Sequence, residues 1–185
     1  MSKKTLGPKI GLYPMLTALV GTKVGGRPNY LPIAHVGVVD LTAISISLGK
    51  SHYSNAGIKE NESFSVNLPS TGLIKKVDYC GLVSGKNVDK SSVFEEFYGQ
   101  LGTAPMIKEC PLNMECRLVQ IVDRPRAELF IGEVVEVYCD EEILTGDQPD
   151  MAKLDPLFFS MFGPSYWKMG PWLGQPWSIG KELKG

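Results

Sequence analysis

The sequence predicts a mainly β protein with short helices, its strands arranged as a closed or nearly closed antiparallel barrel. Three observations predict it. Short β-prone runs dominate the chain and are punctuated by Gly, Pro and Asn. Two of these runs, Ala43 to Leu48 and Leu112 to Leu118, alternate between apolar and polar residues as half-buried strands do. Helical spacing is confined to two or three short segments. A protein built largely of strands has edges to hide, and closing the sheet removes them.

The elements follow in order. Tyr13 to Val20 is apolar and β-rich, and Gly25-Gly26 marks a turn. Tyr30 to Val39 and Ala43 to Leu48 are the next strands, with Asp40 between them. In the second, Ile44, Ile46 and Leu48 share one face and Ser45 and Ser47 the other. Ser51 or Ser54 can cap a short helix through Glu60, with Ala56 and Ile58 inside it. Phe64, Val66 and Leu68 share a face of a strand over Ser63 to Leu68. Ser70 or Thr71 can cap a second helix carrying Leu73, Ile74, Val77 and Cys80. Ser91 to Gly102 reads either as a helical stripe of Phe94, Phe97 and Leu101 or as a packed loop. The alternation that begins at Leu112 slips phase at Val119, which predicts a bulge or a change of partner. Leu129 to Cys139 is strongly β-prone, with Asp123-Arg-Pro-Arg126 as a hairpin connection before it. Pro149 to Trp177, rich in Pro, Gly and aromatics, reads as an ordered arm rather than a bundle of core strands.

At 185 residues the chain is expected to form a single domain over 1–185, with its core at about 12–170 and an arm at 150–185. A hydrophobic fraction of 43% and a charged fraction of 21% are those of an ordinary globular protein. The net charge of -1 argues against nucleic-acid binding. No apolar run reaches membrane-spanning length. The start of the chain lacks the apolar core of a signal peptide, so a cytoplasmic location is expected. The cysteines, Cys80, Cys110, Cys116 and Cys139, contain no C-x-x-C pair and read as reduced thiols, with a regulatory disulfide or a metal site as the other reading. His35 and His52 are too few for a His-rich metal site, and no metal is expected.

The most informative stretch runs from Asn67 to Lys90. Cys80-Gly81, Ser84-Gly85 and Asp89-Lys90 put glycines, small hydroxyls and charges into one loop, which suits a phosphorylated ligand held by backbone amides and hydroxyls. Packing alone is the other reading of that loop. Ser54 likewise reads as a helix cap or a ligand contact, and Asn29 as a turn residue or a ligand contact.

Taken with Asn29 and the Ser45-Ile46-Ser47 strand, this stretch resembles the flavin reductase-like, FMN-binding split-barrel family, and within it the flavoredoxins. The likeness extends over roughly residues 12 to 170 and rests on the order and spacing of its motifs. It implies an antiparallel split β-barrel with FMN as cofactor. In the first segment, Asn29 and the strand residues Pro32, Ile33, Ala34 and His35 would lie along the flavin. Pro32 stands where many relatives have Thr, and His35 where Trp is frequent. In the second, Ser45, Ile46 and Ser47 form a flavin-facing strand, and Lys50, Ser51 and Ser54 seat the phosphate at a helix start. In the third, Asn67 would bond a polar edge of the ring, and Cys80, Gly81, Ser84, Gly85 and Lys90 carry the signature loop. Ser91 follows Lys90 where Phe is often found. Tyr166 resembles a C-terminal Tyr near the flavin or the dimer partner.

The implied activity is that of an NAD(P)H:flavin oxidoreductase, moving electrons from a reduced nicotinamide through FMN to an acceptor in a homodimer. No side chain is assigned a catalytic proton transfer, because hydride transfer needs none. Lys50 or Lys90 would favour an anionic reduced ring. Two alternatives remain at this level: an electron carrier without its own nicotinamide site, and a flavin-free interaction module.

Overall fold

The computed structural model describes residues 1–183. In chain order the strands and helices are β1 Met15–Leu16, β2 Ala18–Val24, β3 Arg27–Ile33, β4 Val36–Val38, β5 Ala43–Gly49, α1 Ser54–Asn61, β6 Ser63–Leu68, α2 Ile74–Leu82, β7 Glu96–Phe97 and β8 Met106–Ile107. Then come β9 Leu112–Asp123, β10 Ala127–Cys139, β11 Leu144–Thr145, β12 Gln148–Pro149, α3 Met151–Leu154, β13 Leu157–Ser160 and β14 Ser165–Lys168.

Seven strands form one curled antiparallel sheet in the order β3-β2-β6-β9-β10-β5-β4. The two edge strands, β3 and β4, are consecutive in the chain. Only Ala34 and His35 separate them, and Ser47 N–H donates to the His35 carbonyl at 3.0 Å. One stretch therefore pairs with β2 on one side and β5 on the other, drawing the sheet into a split barrel. This is the architecture the pattern of short strands predicts.

The barrel is filled by the inward positions of its strands. Ile44, Ile46 and Leu48 of β5 meet Phe64 and Val66 of β6, Val20 of β2 and Phe130 of β10. Ser45 and Ser47 lie on the opposite face of β5, half-buried, as their alternation requires. Ile58 of α1 plugs one end of this core. Gly132 is fixed by packing: a Cβ there would stand 2.5 Å from the Phe64 ring. The predicted slip at Val119 is a bulge, since Gly132 pairs with Leu118 and Ile131 with Gln120, leaving Val119 unpaired.

A second layer covers the outer face of β6, which is buried throughout. The stretch left open in the sequence, Ser91 to Gly102, is largely irregular and packed, with only the two residues of β7 in a strand. Phe94 is buried with its ring edge-on to Tyr30 at 5.4 Å. The buried Glu115 carboxylate accepts the backbone N–H groups of Gln100 and Leu101 at 2.8 and 2.9 Å, and so holds the loop down.

Three expectations are corrected. No side chain caps α1, whose N-cap is Tyr53. The second helix is split, a 3₁₀ turn over Thr71–Leu73 leading into α2. The first part of the C-terminal arm belongs to the core: β13 lies between β1 and β14, and Leu154 and Leu157 are buried. Pairing with β1 makes these short strands core, and a sequence window cannot show such a distant partner. Beyond β14 the chain carries exposed Trp172 and Trp177, as an arm does.

Candidate functional site

Two adjoining cavities open where β3, β5, the start of α1 and the C-terminal strands meet. The first, of about 390 Å³, is lined by Pro32, Ile33, Ala34 and His35 after and within β3 and by Ser47 and Gly49 of β5. Tyr13, Thr17, Phe159, Met161 and Tyr166 form its other wall. The second, of about 270 Å³, is lined by Asn29, Leu31, Ser51, Tyr53, Ser54, the Gly81–Gly85 loop after α2, and Lys90. His52 lines both and stands between them.

The second cavity has a buried lysine in its wall. Lys90 is only 3% exposed, yet its Nζ meets only backbone: it donates to the carbonyls of Tyr30 at 3.0 Å and Cys80 at 2.7 Å. Among the described residues no carboxylate lies within ion-pair distance of it; the neighbouring Asp89 turns away to Arg27. Burial pushes the Lys90 pKa down, because a desolvated ammonium without a counter-charge is costly. Burial and then the Lys90 charge push the His52 imidazole the same way, toward its neutral form. The start of α1 carries no acidic residue in its first turn and no side-chain cap; the Asn55 N–H donates to the His52 carbonyl at 3.2 Å, and the positive end of the helix dipole lies at this region.

The site is held by close packing. Asn29 Nδ2 donates to Ser54 Oγ at 2.8 Å, while Asn29 Oδ1, also buried, has no partner. Gly85 lets the loop close here, since a Cβ would stand 2.0 Å from that Oδ1. In the first cavity Tyr13 and His35 share a hydrogen bond of 3.2 Å between the hydroxyl and Nε2. Tyr166 donates its hydroxyl to Asp78 at 3.0 Å, and burial together with that carboxylate pushes its pKa up to about 12. Thr17 Oγ1 is buried with no partner. An unmet buried hydroxyl costs about 1–3 kcal/mol.

The sequence-predicted residues divide into three groups. Pro32, Ile33, Ala34, His35, Ser47 and Tyr166 line the first cavity. Asn29, Ser51, Ser54, Gly81, Ser84, Gly85 and Lys90 line the second. Five lie outside both. Ile46 is fully buried in the barrel core, and Ser45 Oγ faces the Gly37 carbonyl at 3.5 Å. Lys50 pairs with Asp123 on the surface. Cys80 is buried and offers only its carbonyl, to Lys90. Asn67 is fully committed inside: its Nδ2 donates to the Leu19 carbonyl at 2.9 Å, and its Oδ1 accepts from Ile107 N–H and Asn113 Nδ2. Ser47 lines the first cavity and Ser54 and Ser84 the second, with His52 common to both linings, and Asn67 lines neither.

The sequence reading missed Tyr13, Thr17, His52, Tyr53, Phe159 and Met161. Thr17 carried a signal, a lone hydroxyl in the apolar Met15-Leu-Thr-Ala-Leu-Val20 run. Phe159 and Met161 come from the tail, more than a hundred residues from β5.

A mainly apolar cavity that shares His52 with a second one lined by hydroxyls and a buried cation suits a ligand with an apolar body and an anionic group, as a phosphorylated flavin is. Comparison with known proteins agrees with this class of binder. A family model described as flavin reductase like domain matches residues 10–160. The flavoredoxin of Methanosarcina acetivorans superposes with a TM-score of 0.96 at 44% identity, covering 99% of this chain and 100% of that one. The flavoredoxin of Desulfovibrio vulgaris (Miyazaki F) gives 0.90 at 33% identity, covering 97% and 100%. An FMN-binding protein from Thermus thermophilus, solved with bound p-hydroxybenzaldehyde, shares the fold with a TM-score of 0.79 at 23% identity over 95% and 98%. The chain belongs to the flavin reductase-like, FMN-binding split-barrel family. Within that family its similarity is to the flavoredoxins.

Proposed function

We propose that this chain holds FMN across the two cavities and serves as an oxidoreductase between a reduced nicotinamide and an acceptor. The observation that carries this reading is Lys90: a buried ammonium with no carboxylate beside it among the described residues, lining a cavity with Ser51, Ser54, Ser84 and the start of α1. When bound, FMN supplies two-electron chemistry between donor and acceptor. The chain supplies the rest. Lys90, Ser54 and Ser84, with the positive end of the α1 dipole, hold the phosphate. The Pro32–His35 segment and Ser47 support one side of the ring. Tyr13, Phe159 and Met161 shield the cavity from water, which strengthens each polar contact inside it.

The exposed Phe162, Trp167, Trp172 and Trp177 are too large an apolar set for a solvated tail, and we assign them to contact with a second copy. The free thiols of Cys80, Cys110, Cys116 and Cys139 suit a reducing, cytoplasmic setting. Burial pushes the Cys116 thiol up to about 12 and Cys110 further, so neither is a nucleophile.

The test is a visible spectrum after gel filtration with added FMN, followed by anaerobic rapid mixing with NADH and NADPH. Retained yellow colour that bleaches with either nucleotide supports the reading. Colour that persists with both removes the nicotinamide step and leaves a carrier. A colourless protein that ignores FMN overturns the proposal.

A further inference from the structure

We infer that Tyr13 and His35 form a proton relay in the wall of the first cavity, serving an organic acceptor of the quinone type that takes up a proton with its electrons. The relay rests on the flavin reading above and fixes the acceptor's chemical class. The Tyr13 hydroxyl and His35 Nε2 are hydrogen-bonded at 3.2 Å, in the exposed part of that wall. His35 is exposed and Tyr13 half-buried, so a molecule in the cavity mouth can reach the pair and water can reach the imidazole. Phe162 braces the phenol ring edge-on, with ring centres 5.5 Å apart.

The other titratable groups of this cavity are poorly placed to give up a proton. Among the described residues that line it there is no carboxylate, lysine, arginine or cysteine; its titratable side chains are Tyr13, His35, His52 and Tyr166. Tyr166 already donates to Asp78, and burial with that carboxylate pushes its pKa up to about 12. Burial and then the Lys90 charge hold His52 toward its neutral form. Tyr13 and His35 remain, coupled by their hydrogen bond. In an imidazolium both ring nitrogens are donors. Nε2–H then donates to the Tyr13 oxygen and leaves the phenol proton free for a third group. An imidazole is also the type of side chain that exchanges protons with water near neutral pH.

The transfer balances. Two electrons and one proton from the reduced nicotinamide reach the acceptor by way of the bound flavin. The acceptor oxygen takes its second proton from Tyr13, the phenol O–H bond breaking as the new O–H bond forms. The Tyr13 oxygen takes the Nε2 proton of His35, and the exposed imidazole regains one from water. A quinone leaves as its hydroquinone. An acceptor that takes electrons alone, such as ferricyanide, has no use for the pair. The lining by Pro32, Ile33, Ala34, Phe159 and Met161 suits a flat, mainly apolar molecule.

The experiment compares the flavin-loaded parent with Tyr13→Phe and His35→Gln. Each reduced protein is mixed anaerobically with p-benzoquinone or with ferricyanide, and the ratio of the two rates is followed across the neutral pH range. Quinone affinity of the oxidised, resting protein is measured by difference spectrum, and melting alongside. Tyr13→Phe is expected to lower the quinone-to-ferricyanide ratio about a hundredfold, the lower end of what a general acid contributes. It is also expected to weaken quinone binding about threefold to tenfold, the scale of one neutral hydrogen bond. His35→Gln keeps a group that can hydrogen-bond Tyr13 but cannot carry the proton. It is expected to lose a similar factor in the ratio while quinone affinity and melting stay near the parent's. The parent's ratio falls as rising pH strips the imidazole of its proton, and in His35→Gln that fall is expected to vanish. A bond that merely fastens residue 13 to the passage between β3 and β4 predicts otherwise: both acceptors slow together, melting drops, and His35→Gln keeps the pH dependence. An unchanged ratio in Tyr13→Phe, or a retained pH profile in His35→Gln, overturns the relay and leaves the flavin reading intact. A reduced parent that passes electrons to ferricyanide but not to the quinone overturns the acceptor class. A parent that retains no flavin overturns both readings.

Discussion

Lys90 donates to two backbone carbonyls, those of Tyr30 and Cys80, and its burial makes it release its proton at a lower pH than a solvated lysine does. The sign of the consequence follows. As pH rises toward the unfolded lysine value of about 10.4, the folded chain holds less than its share of protons, so folding stability rises through that window. FMN affinity falls through the same window, because the phosphate loses its cation. Riboflavin affinity stays flat. Measuring both affinities from pH 7 to 10 checks this, and a parallel fall for riboflavin would exclude Lys90 as the phosphate partner. Lys90→Met is expected to lower FMN affinity about ten- to a hundredfold, the scale of a charge-assisted bond of about 1.5–3 kcal/mol, with little effect on riboflavin. Lys50, by contrast, spends its charge on Asp123 at the surface. Lys50→Ala is expected to leave FMN affinity within about twofold, as for a surface pair worth about 0–1 kcal/mol.

Strand β6 shows why some residues were legible and others were not. Its alternation placed Phe64, Val66 and Leu68 in the core, where they lie. The same alternation put Ser63, Ser65 and Asn67 on the other face, which a window of sequence takes for a ligand-facing or solvated side. The loop from Phe94 to Ile107 covers that face instead. Ser65 Oγ donates to the Pro105 carbonyl, and Ser63 Oγ pairs with Thr103 Oγ1 at 2.7 Å. Asn67 therefore anchors a loop. Asn67→Ala is expected to cost about 2–4 kcal/mol through the groups it strands, seen in denaturant melts, while flavin affinity of the folded fraction holds. At Gly132 the element scale sets a harder limit. Gly132→Ala drives a methyl into Phe64 and is expected to cost about 1–3 kcal/mol, read as a shift in the denaturation midpoint.

The ordering of motifs made the barrel and much of the second cavity readable: the glycine-hydroxyl loop, Lys90 and the start of α1 are local in sequence. The first cavity was half readable. Its β3 and β5 walls were expected, but the wall of Tyr13, Thr17, Phe159 and Met161 arises from β1 pairing with β13, a contact that spans most of the chain. The tail beyond β14 acts at this scale too. A protein ending after Lys168 is expected to keep its fold, since Trp172, Leu173 and Trp177 are exposed. It is expected to sediment as a smaller species than the full chain. Equal sedimentation of the two would separate the aromatic arm from assembly.

The passage from β3 through Ala34 and His35 into β4 is the clasp of the barrel, and it is also a cavity wall. New chain ends introduced between Ala34 and His35 would free both borders of the sheet at once. A circular permutant opened at Gly25-Gly26 would loosen only one hairpin. A ligand resting against the clasp would slow its opening, so protease cutting near residue 34 should report occupancy directly, without any optical signal from the flavin.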